Sequence, residues 1–245
     1  MKRVWTAFLM GLGMFSAIPL RLKNWNESLR RLMIACLPSV GLVLGAIWWA
    51  AAALAKHFLP SLMAGAIIAA IPYLLTGFIH LDGFMDTSDA MLSWRSREER
   101  LRILKDSHVG SFAVVMIAML VMFQFASATS IRRVFALMLI PMLSRCGSAF
   151  CVLKLKPLGH SQYAADDEAP QRYVTAVLLQ AIIAALILTI AFGWSGLIIA
   201  AAVLLGYALS MCWCVRALGG VSGDLAGFSL TVAELCGLAA LALIG

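Results

Sequence analysis

Seven long apolar segments dominate this chain and limit the folds open to it. Each approaches or exceeds the roughly 20 residues that a helix needs to cross the hydrocarbon core of a bilayer. Hydrophobic residues make up 62% of the 245 residues and charged residues 13%, whereas about a quarter of a soluble domain is charged. We therefore expect one all-α, polytopic membrane domain that occupies residues 1–245. The predicted spans are about 32–55, 59–79, 109–128, 134–153, 173–192, 196–215 and 226–244.

The segment 4–20 differs from these seven. It is shorter, and it contains Gly11 and Gly13. We expect a short N-terminal helix that lies in the membrane interface or re-enters it without a full crossing.

The basic residues between the spans predict the orientation of the chain. They concentrate in the loops near 21–31, 80–108 and 154–172, where Arg21 and Lys23 are among them. Seven spans put these loops on one side, which we assign to the cytoplasmic face of a bacterial or archaeal membrane because such loops are rich in Lys and Arg. The net charge of +7 then reflects orientation and anionic headgroups. No basic tract interleaved with aromatic residues indicates nucleic-acid binding.

The stretch 80–89, H-L-D-G-F-M-D-T-S-D, is the densest group of polar residues beside an apolar segment. In a helix, Asp82, Asp86 and Asp89 have the spacing i, i+4, i+7 and share one face. Three carboxylates on one face repel each other unless a cation lies between them, and carboxylate oxygens suit Mg²⁺. The pattern favours a metal clamp on a phosphorylated substrate over the alternative, a solvated helix end. His80 is either a general base, an orienting residue or an interfacial histidine.

The remainder of the loop 80–108 predicts a second helix. Ser96 and Glu99 have capping-box spacing, so a helix is expected at about 97–106. Most of its arginines fit a solvated amphipathic face. Lys105 could hold a phosphate, and Asp106 could add a metal ligand or orient that lysine.

Two further features involve charge at or within the spans. Arg145 lies inside the predicted span 134–153, and it either binds a substrate phosphate, contacts the acidic cluster or pairs with Glu234 in the last span. The sequence G-G-V-S-G-D at 219–224 could wrap an anion with backbone amides; the alternative is a tight turn in which Asp224 caps a helix.

The six cysteines form no C-x-x-C pair. We interpret them as small apolar residues at helix interfaces. A metal site at Cys212 and Cys214 is a weak alternative, because no second pair accompanies it.

These motifs together resemble cobalamin synthase, the membrane-bound adenosylcobinamide-GDP ribazoletransferase family. The matching elements are H-L-D-G-x-x-D-T-x-D, then K-D-S-x-x-G from Lys105, then G-G-x-S-G-D from Gly219. F-S-A-I-P at 15–19, P-x-x-G-x-x-x-G at 38–45 and L-S-R at 143–145 also match, in the family's order and over nearly the whole chain.

The resemblance implies a reaction. A hydroxyl of α-ribazole or of its 5′-phosphate attacks the cobinamide-side phosphorus of adenosylcobinamide-GDP, GMP leaves, and adenosylcobalamin or its 5′-phosphate forms with the help of Mg²⁺. Asp82, Asp86 and Asp89 would hold the metal, with Asp86, Asp89 or His80 as the base and Lys105 as a further catalytic residue. The implied substrate contacts are Arg95, Asp106, Ser107, Arg145, Gly223 and Asp224. Association with other enzymes of corrinoid synthesis and a homo-oligomer are further implications.

Two other classes of protein share single features with this chain. A CDP-alcohol phosphotransferase also uses an Asp-Gly motif at the membrane edge, but its signature continues with Ala-Arg and a second half that this chain lacks. A transporter is suggested by Arg145 and Glu234 within spans, although no inverted repeat is evident.

Overall fold

The computed structural model describes residues 2–20, 25–159 and 170–245; Arg21 and Lys23 of the predicted orientation signal lie outside them. The helices in these ranges are α1 (Lys2–Phe15), α2 (Arg30–Ala35), α3 (Leu37–Phe58), α4 (Ser61–Leu75), α5 (Ile79–Leu92), α6 (Arg97–Ile103), α7 (Ser111–Ser130), α8 (Ile140–Lys154), α9 (Gln171–Phe192), α10 (Trp194–Leu218) and α11 (Gly223–Ile244). Short 3-10 turns at Glu27–Leu29 and Phe135–Met138 precede α2 and α8. The expected all-α fold is confirmed.

The expected set of spans is confirmed with one change of shape. Within the described ranges, α3, α7, α9, α10, α11 and the segment Phe135–Lys154 are each long and apolar enough to cross a membrane. The pair α4 and α5 meets the same criterion only as a unit, and its axis bends by 90°. The first span begins at Leu37 rather than near 32, because the chain breaks after α2 and Pro38 occupies the first turn of α3, a position that proline favours.

The bend between α4 and α5 sets the direction of the acidic helix. Gly77 and Phe78 both adopt left-handed backbone angles, with φ of 59° and 64°. The Phe78 amide donates to the Tyr73 carbonyl at 3.0 Å and the Gly77 amide to the Leu74 carbonyl at 3.2 Å, which is the pattern of a Schellman helix end. The predicted span 59–79 was wrong in this respect, since α4 ends at Leu75 and α5 starts in a new direction.

Pro72 leaves carbonyl groups of α4 without their usual helical donors. The Trp48 indole N–H donates to the Ile68 carbonyl at 2.8 Å, and the Gln124 side-chain amide donates to the Ala69 carbonyl at 2.9 Å. Helices α3 and α7 therefore satisfy the backbone of α4 where no water would be available to do so.

Helix α1 has 14 residues, or about 21 Å at 1.5 Å per residue, which is too short for a full crossing. It buries Ala7, Met10 and Leu12 and leaves Trp5 exposed. After α1, the Ala17 amide donates to the Leu75 carbonyl at 2.8 Å. The F-S-A-I-P motif thus holds the N-terminal segment against the end of α4, next to the bend.

At the ends of helices opposite the acidic helix, basic side chains donate hydrogen bonds to backbone carbonyl groups. The Lys56 ammonium donates to the Ile131 carbonyl at 2.6 Å, and the Arg133 guanidinium donates to the Ala191 carbonyl at 2.7 Å. Arg133 also lies over the Phe192 ring, 4.0 Å from its centroid. Arg133 lies outside the three basic loops assigned to the cytoplasmic side, and it contacts the carboxyl end of α9, where a cation is favourable.

Candidate active site

The acidic motif is helical, as its spacing predicted, and it lies on α5. Helix α5 packs closely along α11, where the Phe84 and Phe228 rings stack 5.3 Å apart. A Cβ atom on Gly83 would lie 2.8 Å from the Asp224 carbonyl oxygen, so only glycine permits this approach. The packing brings Asp224 of α11 beside the acidic residues of α5.

The three aspartates of the motif have different surroundings. Asp82 is exposed, Asp86 is partly buried and Asp89 is buried. The negative charges of Asp82, Asp224 and Asp89 all act on Asp86, and Asp82 also acts on Asp224. None of the salt bridges among the described residues involves Asp82, Asp86 or Asp224. We call Asp82, Asp86 and Asp224 the carboxylate cluster.

Asp89 is separate from this cluster in its contacts. Its two carboxylate oxygens accept hydrogen bonds from the Gly110 amide at 2.7 Å and the Ala113 amide at 3.0 Å. Asp89 therefore caps the start of α7 and stabilises its amino end. The predicted clamp of Asp82, Asp86 and Asp89 is not preformed, and across the described residues no three His, Cys, Asp or Glu side chains are grouped as metal ligands.

The turn before α11 is organised by Ser222. Its hydroxyl accepts a hydrogen bond from the Leu225 amide at 3.3 Å, so Ser222 is the helix cap. The alternative reading of Asp224 as the cap was wrong, and its carboxylate lies in the first turn of α11 instead. Gly223 and Asp224 both line a cavity.

That cavity has a volume of about 830 Å³ and opens between α2, α5, α8 and α11. Its polar wall includes His80 and Asp82 of α5 and Asp224 of α11, and its apolar wall includes Ile34 and Val152. A concave site of this size with a few convergent polar groups is typical of small-molecule binding. The loops assigned to one membrane face therefore contribute to one cavity.

Arg145 pairs with Glu234. Its guanidinium lies 2.8 Å from the Glu234 carboxylate, with the two side chains 3% and 12% exposed. The Ser144 hydroxyl donates to the same carboxylate oxygen at 3.0 Å, and Arg145 also donates to the Pro141 carbonyl at 3.2 Å. The ion-pair alternative is thus confirmed, although Arg145 also borders the cavity.

The predicted residues of the loop 95–107 lie apart from the cavity wall in the described structure. The expected capping box of Ser96 and Glu99 is present, and α6 ends at Ile103 rather than near 106. Arg95 pairs with Glu99 at 3.4 Å. Lys105, Asp106 and Ser107 are exposed and are not among the described residues that line the cavity.

Asp106 and His108 contact each other in this loop. The Asp106 carboxylate accepts from the His108 amide at 3.1 Å and lies 2.6 Å from His108 Nδ1. The hydrogen bond to the carboxylate raises the pKa of His108, and the same bond lowers the pKa of Asp106. The predicted role of Asp106 as metal ligand or orienting group for Lys105 stays a prediction; its observed partner is His108.

Four basic residues of the cavity wall were not among the predicted site residues: Arg30, Arg31, Lys154 and Lys156. They were used only to assign the orientation. The sequence did indicate that these residues lie in loops on the same side as Asp82. It could not indicate that those loops meet at one cavity, because contacts between sequence-distant loops do not follow from a hydropathy pattern.

Comparisons with known proteins place this arrangement in context. The family model described as "Cobalamin-5-phosphate synthase" matches residues 7–242. A relative from Clostridium botulinum (strain Alaska E43 / Type E3), named adenosylcobinamide-GDP ribazoletransferase, is 35% identical over 246 residues, which cover 97% of each chain. Relatives with the same name from Clostridium perfringens (strain ATCC 13124) and Geobacillus kaustophilus (strain HTA426) are 35% and 31% identical, covering 100% of each chain and 93% and 91% of the two chains respectively. No solved structure matches the chain.

Proposed function

Because this chain belongs to the cobalamin-5-phosphate synthase family, we propose that it is the membrane transferase that joins adenosylcobinamide-GDP to α-ribazole or α-ribazole 5′-phosphate and releases GMP. Relatives with the name of this transferase align with the chain over nearly their whole length. The structural observation that supports the proposal is the carboxylate cluster, which two helices bring together without an ion-pair partner among the described residues. Asp82 and Asp224 of the cluster line the cavity, whereas Asp86 is not among the lining residues.

The carboxylate cluster has donors suited to Mg²⁺. Magnesium in phosphoryl-transfer sites is held by one or two carboxylates together with substrate phosphates, and keeps several waters. Asp82, Asp86 and Asp224 provide carboxylates from two packed helices, so a preformed three-residue cage is not required. When bound there, Mg²⁺ would neutralise negative charge on the phosphates of the substrate.

The residues of the chain then have separate roles in the transfer. The acceptor hydroxyl oxygen forms a bond to the cobinamide-side phosphorus, and the bond from that phosphorus to the oxygen of GMP breaks. The hydroxyl proton needs an acceptor, for which the candidates on α5 are His80, which lines the cavity, and Asp86, which lies one turn beyond Asp82. Asp89 is the weaker candidate for the base, because both of its oxygens accept backbone hydrogen bonds. The cavity wall would orient the acceptor for attack.

The carrier alternative loses its main support. Arg145 and Glu234 suggested a transport pathway, but they neutralise each other across α8 and α11. We place the transferase in the cytoplasmic membrane with its cavity toward the cytoplasm, on the basis of the positive loops. Association with other corrinoid enzymes and homo-oligomerisation stay predictions from the family.

The test is an assay of the purified protein in detergent or membranes with adenosylcobinamide-GDP and α-ribazole 5′-phosphate. We expect GMP and the corrinoid product to appear in equal amounts, and only when Mg²⁺ is present. A folded protein that yields neither product with any divalent metal would contradict the proposal.

A further inference from the structure

We propose that Lys154 and Lys156 bind a phosphate group of a substrate directly, in the cavity that Asp82 and Asp224 also line. The inference deepens the proposed function and rests on it. It assigns a role to two residues that the transfer chemistry described above does not use.

The first observation is the position of the two lysines. Lys154 ends α8 and Lys156 follows in the connecting segment, and both line the cavity. The Lys156 carbonyl accepts a hydrogen bond from the Val221 amide at 2.9 Å, and the Leu158 amide donates to the Val221 carbonyl at 2.8 Å. The lysine segment is thereby fixed to the turn that leads into Asp224.

The second observation is the pairing of the charges on the cavity wall. Arg145 pairs with Glu234 and Arg30 pairs with Glu27 at 2.5 Å. No ion pair of the described residues includes Lys154 or Lys156; Lys154 contacts the neutral Gln171 side chain at 3.1 Å.

Lys154 and Lys156 are two residues apart and carry like charges, which an anion bound by both would offset. Lysine is a common phosphate ligand that acts as a point charge. A cation at the carboxyl end of α8 is also favourable for the helix itself. That effect accounts for Lys154 but not for Lys156, which lies beyond the helix, so Lys156 is the more decisive residue.

Two substrate groups have the required chemistry. One is the 5′-phosphate of the acceptor, and the other is the diphosphate of adenosylcobinamide-GDP. The two sources differ in a measurable way, because α-ribazole without its phosphate is also an acceptor in this reaction class.

The experiment compares the wild type with Lys156→Gln, Lys154→Gln/Lys156→Gln and Lys156→Arg. KM for adenosylcobinamide-GDP is measured with each acceptor, and KM for each acceptor is measured separately. Equilibrium binding of α-ribazole 5′-phosphate and of GDP gives a readout that does not need turnover. Lys56→Gln is the control, because Lys56 lies in the last turn of α3 and is not among the residues that line the cavity.

We expect the double variant to raise one KM by about 10-fold or more with a smaller change in kcat, since a lost charged hydrogen bond has that effect on affinity. Lys156→Arg keeps the positive charge, so its KM should stay much closer to the wild-type value than the KM of Lys156→Gln. A rise confined to α-ribazole 5′-phosphate identifies the acceptor phosphate, and a rise for adenosylcobinamide-GDP with both acceptors identifies the donor diphosphate.

The inference would be overturned if the folded double variant had KM values and binding constants within about twofold of the wild type. That result would leave the proposed function intact. A wild type that releases no GMP and binds neither ligand would overturn the proposed function and this inference with it. Elution of each variant as a single detergent-solubilised species separates both results from misfolding.

Discussion

Two sets of charged groups lie close together in this membrane protein, and they differ in whether their charge is neutralised. Arg145 and Glu234 form a buried ion pair with additional hydrogen bonds from Ser144 and to Pro141. The carboxylate cluster has no basic partner among the described residues, and its members act on one another as like charges. Removing one partner of a buried ion pair leaves a costly unpaired charge, whereas a cluster of like charges without partners favours binding of a cation from outside.

The largest expected effect is on the paired charges. Glu234→Ala leaves the Arg145 guanidinium buried without its partner, so we expect the free energy of unfolding in detergent to fall by about 3–5 kcal/mol. The double variant Arg145→Met/Glu234→Leu removes both charges and should recover at least half of that loss. Denaturant titration followed by circular dichroism measures both values.

The double variant also tests the predicted substrate contact of Arg145. If it is folded and keeps normal turnover, Arg145 is not a substrate-binding residue. If it is no more stable than Glu234→Ala, the loss in Glu234→Ala does not come from an unpaired buried Arg145, and the expectation is contradicted.

The next effect is on the carboxylate cluster. Asp82→Asn removes a proposed metal ligand without opening a cavity or breaking a described contact. We expect turnover to fall by about 100-fold or more, equivalent to about 2.7 kcal/mol, with unchanged stability. GMP release by matched amounts of folded protein measures this, and Glu98→Gln, an exposed charge on α6, is the control. Turnover within a few-fold of the wild type would remove Asp82 from the metal site.

A smaller effect is expected at Asp89, where the sequence predicted a metal ligand and the structure shows a helix cap. Asp89→Ala should reduce stability by about 1–2 kcal/mol, in the range of a lost cap. The Mg²⁺ concentration for half-maximal rate should stay unchanged in Asp89→Asn and should rise in Asp86→Asn. An equal rise in both asparagine variants would restore the three-aspartate clamp of Asp82, Asp86 and Asp89.

The smallest effect is expected at the cysteines of α10. Cys212 is exposed and Cys214 is buried, because residues two apart on a helix point to different sides. They are therefore poorly placed to share a metal. Changing both to Ala should alter the unfolding free energy by about 1 kcal/mol or less. Elemental analysis should show the same metal content, and a loss of bound metal would overturn this interpretation.

The sequence could predict what local periodicity determines. The spans, the helical face of Asp82 and Asp86 and the capping box at Ser96 followed from spacing alone. The bend at Gly77 and Phe78 did not, because an apolar run continues to Ile79 and hydropathy does not record a left-handed turn. The role of Asp89 depends on the amide groups of Gly110 and Ala113, more than 20 residues away in sequence. Lys156 likewise lies at the cavity in a segment that is hydrogen-bonded to Val221, more than 60 residues away in sequence.

The most direct test of the unpaired cluster as a metal site is the binding of Mn²⁺, followed by electron paramagnetic resonance in the purified protein with GDP present. We expect one bound Mn²⁺ in the wild type and in Glu98→Gln, with affinity about 10-fold or more weaker in Asp82→Asn and in Asp86→Asn. Equal affinity in all four proteins would contradict the assignment of the metal to this cluster.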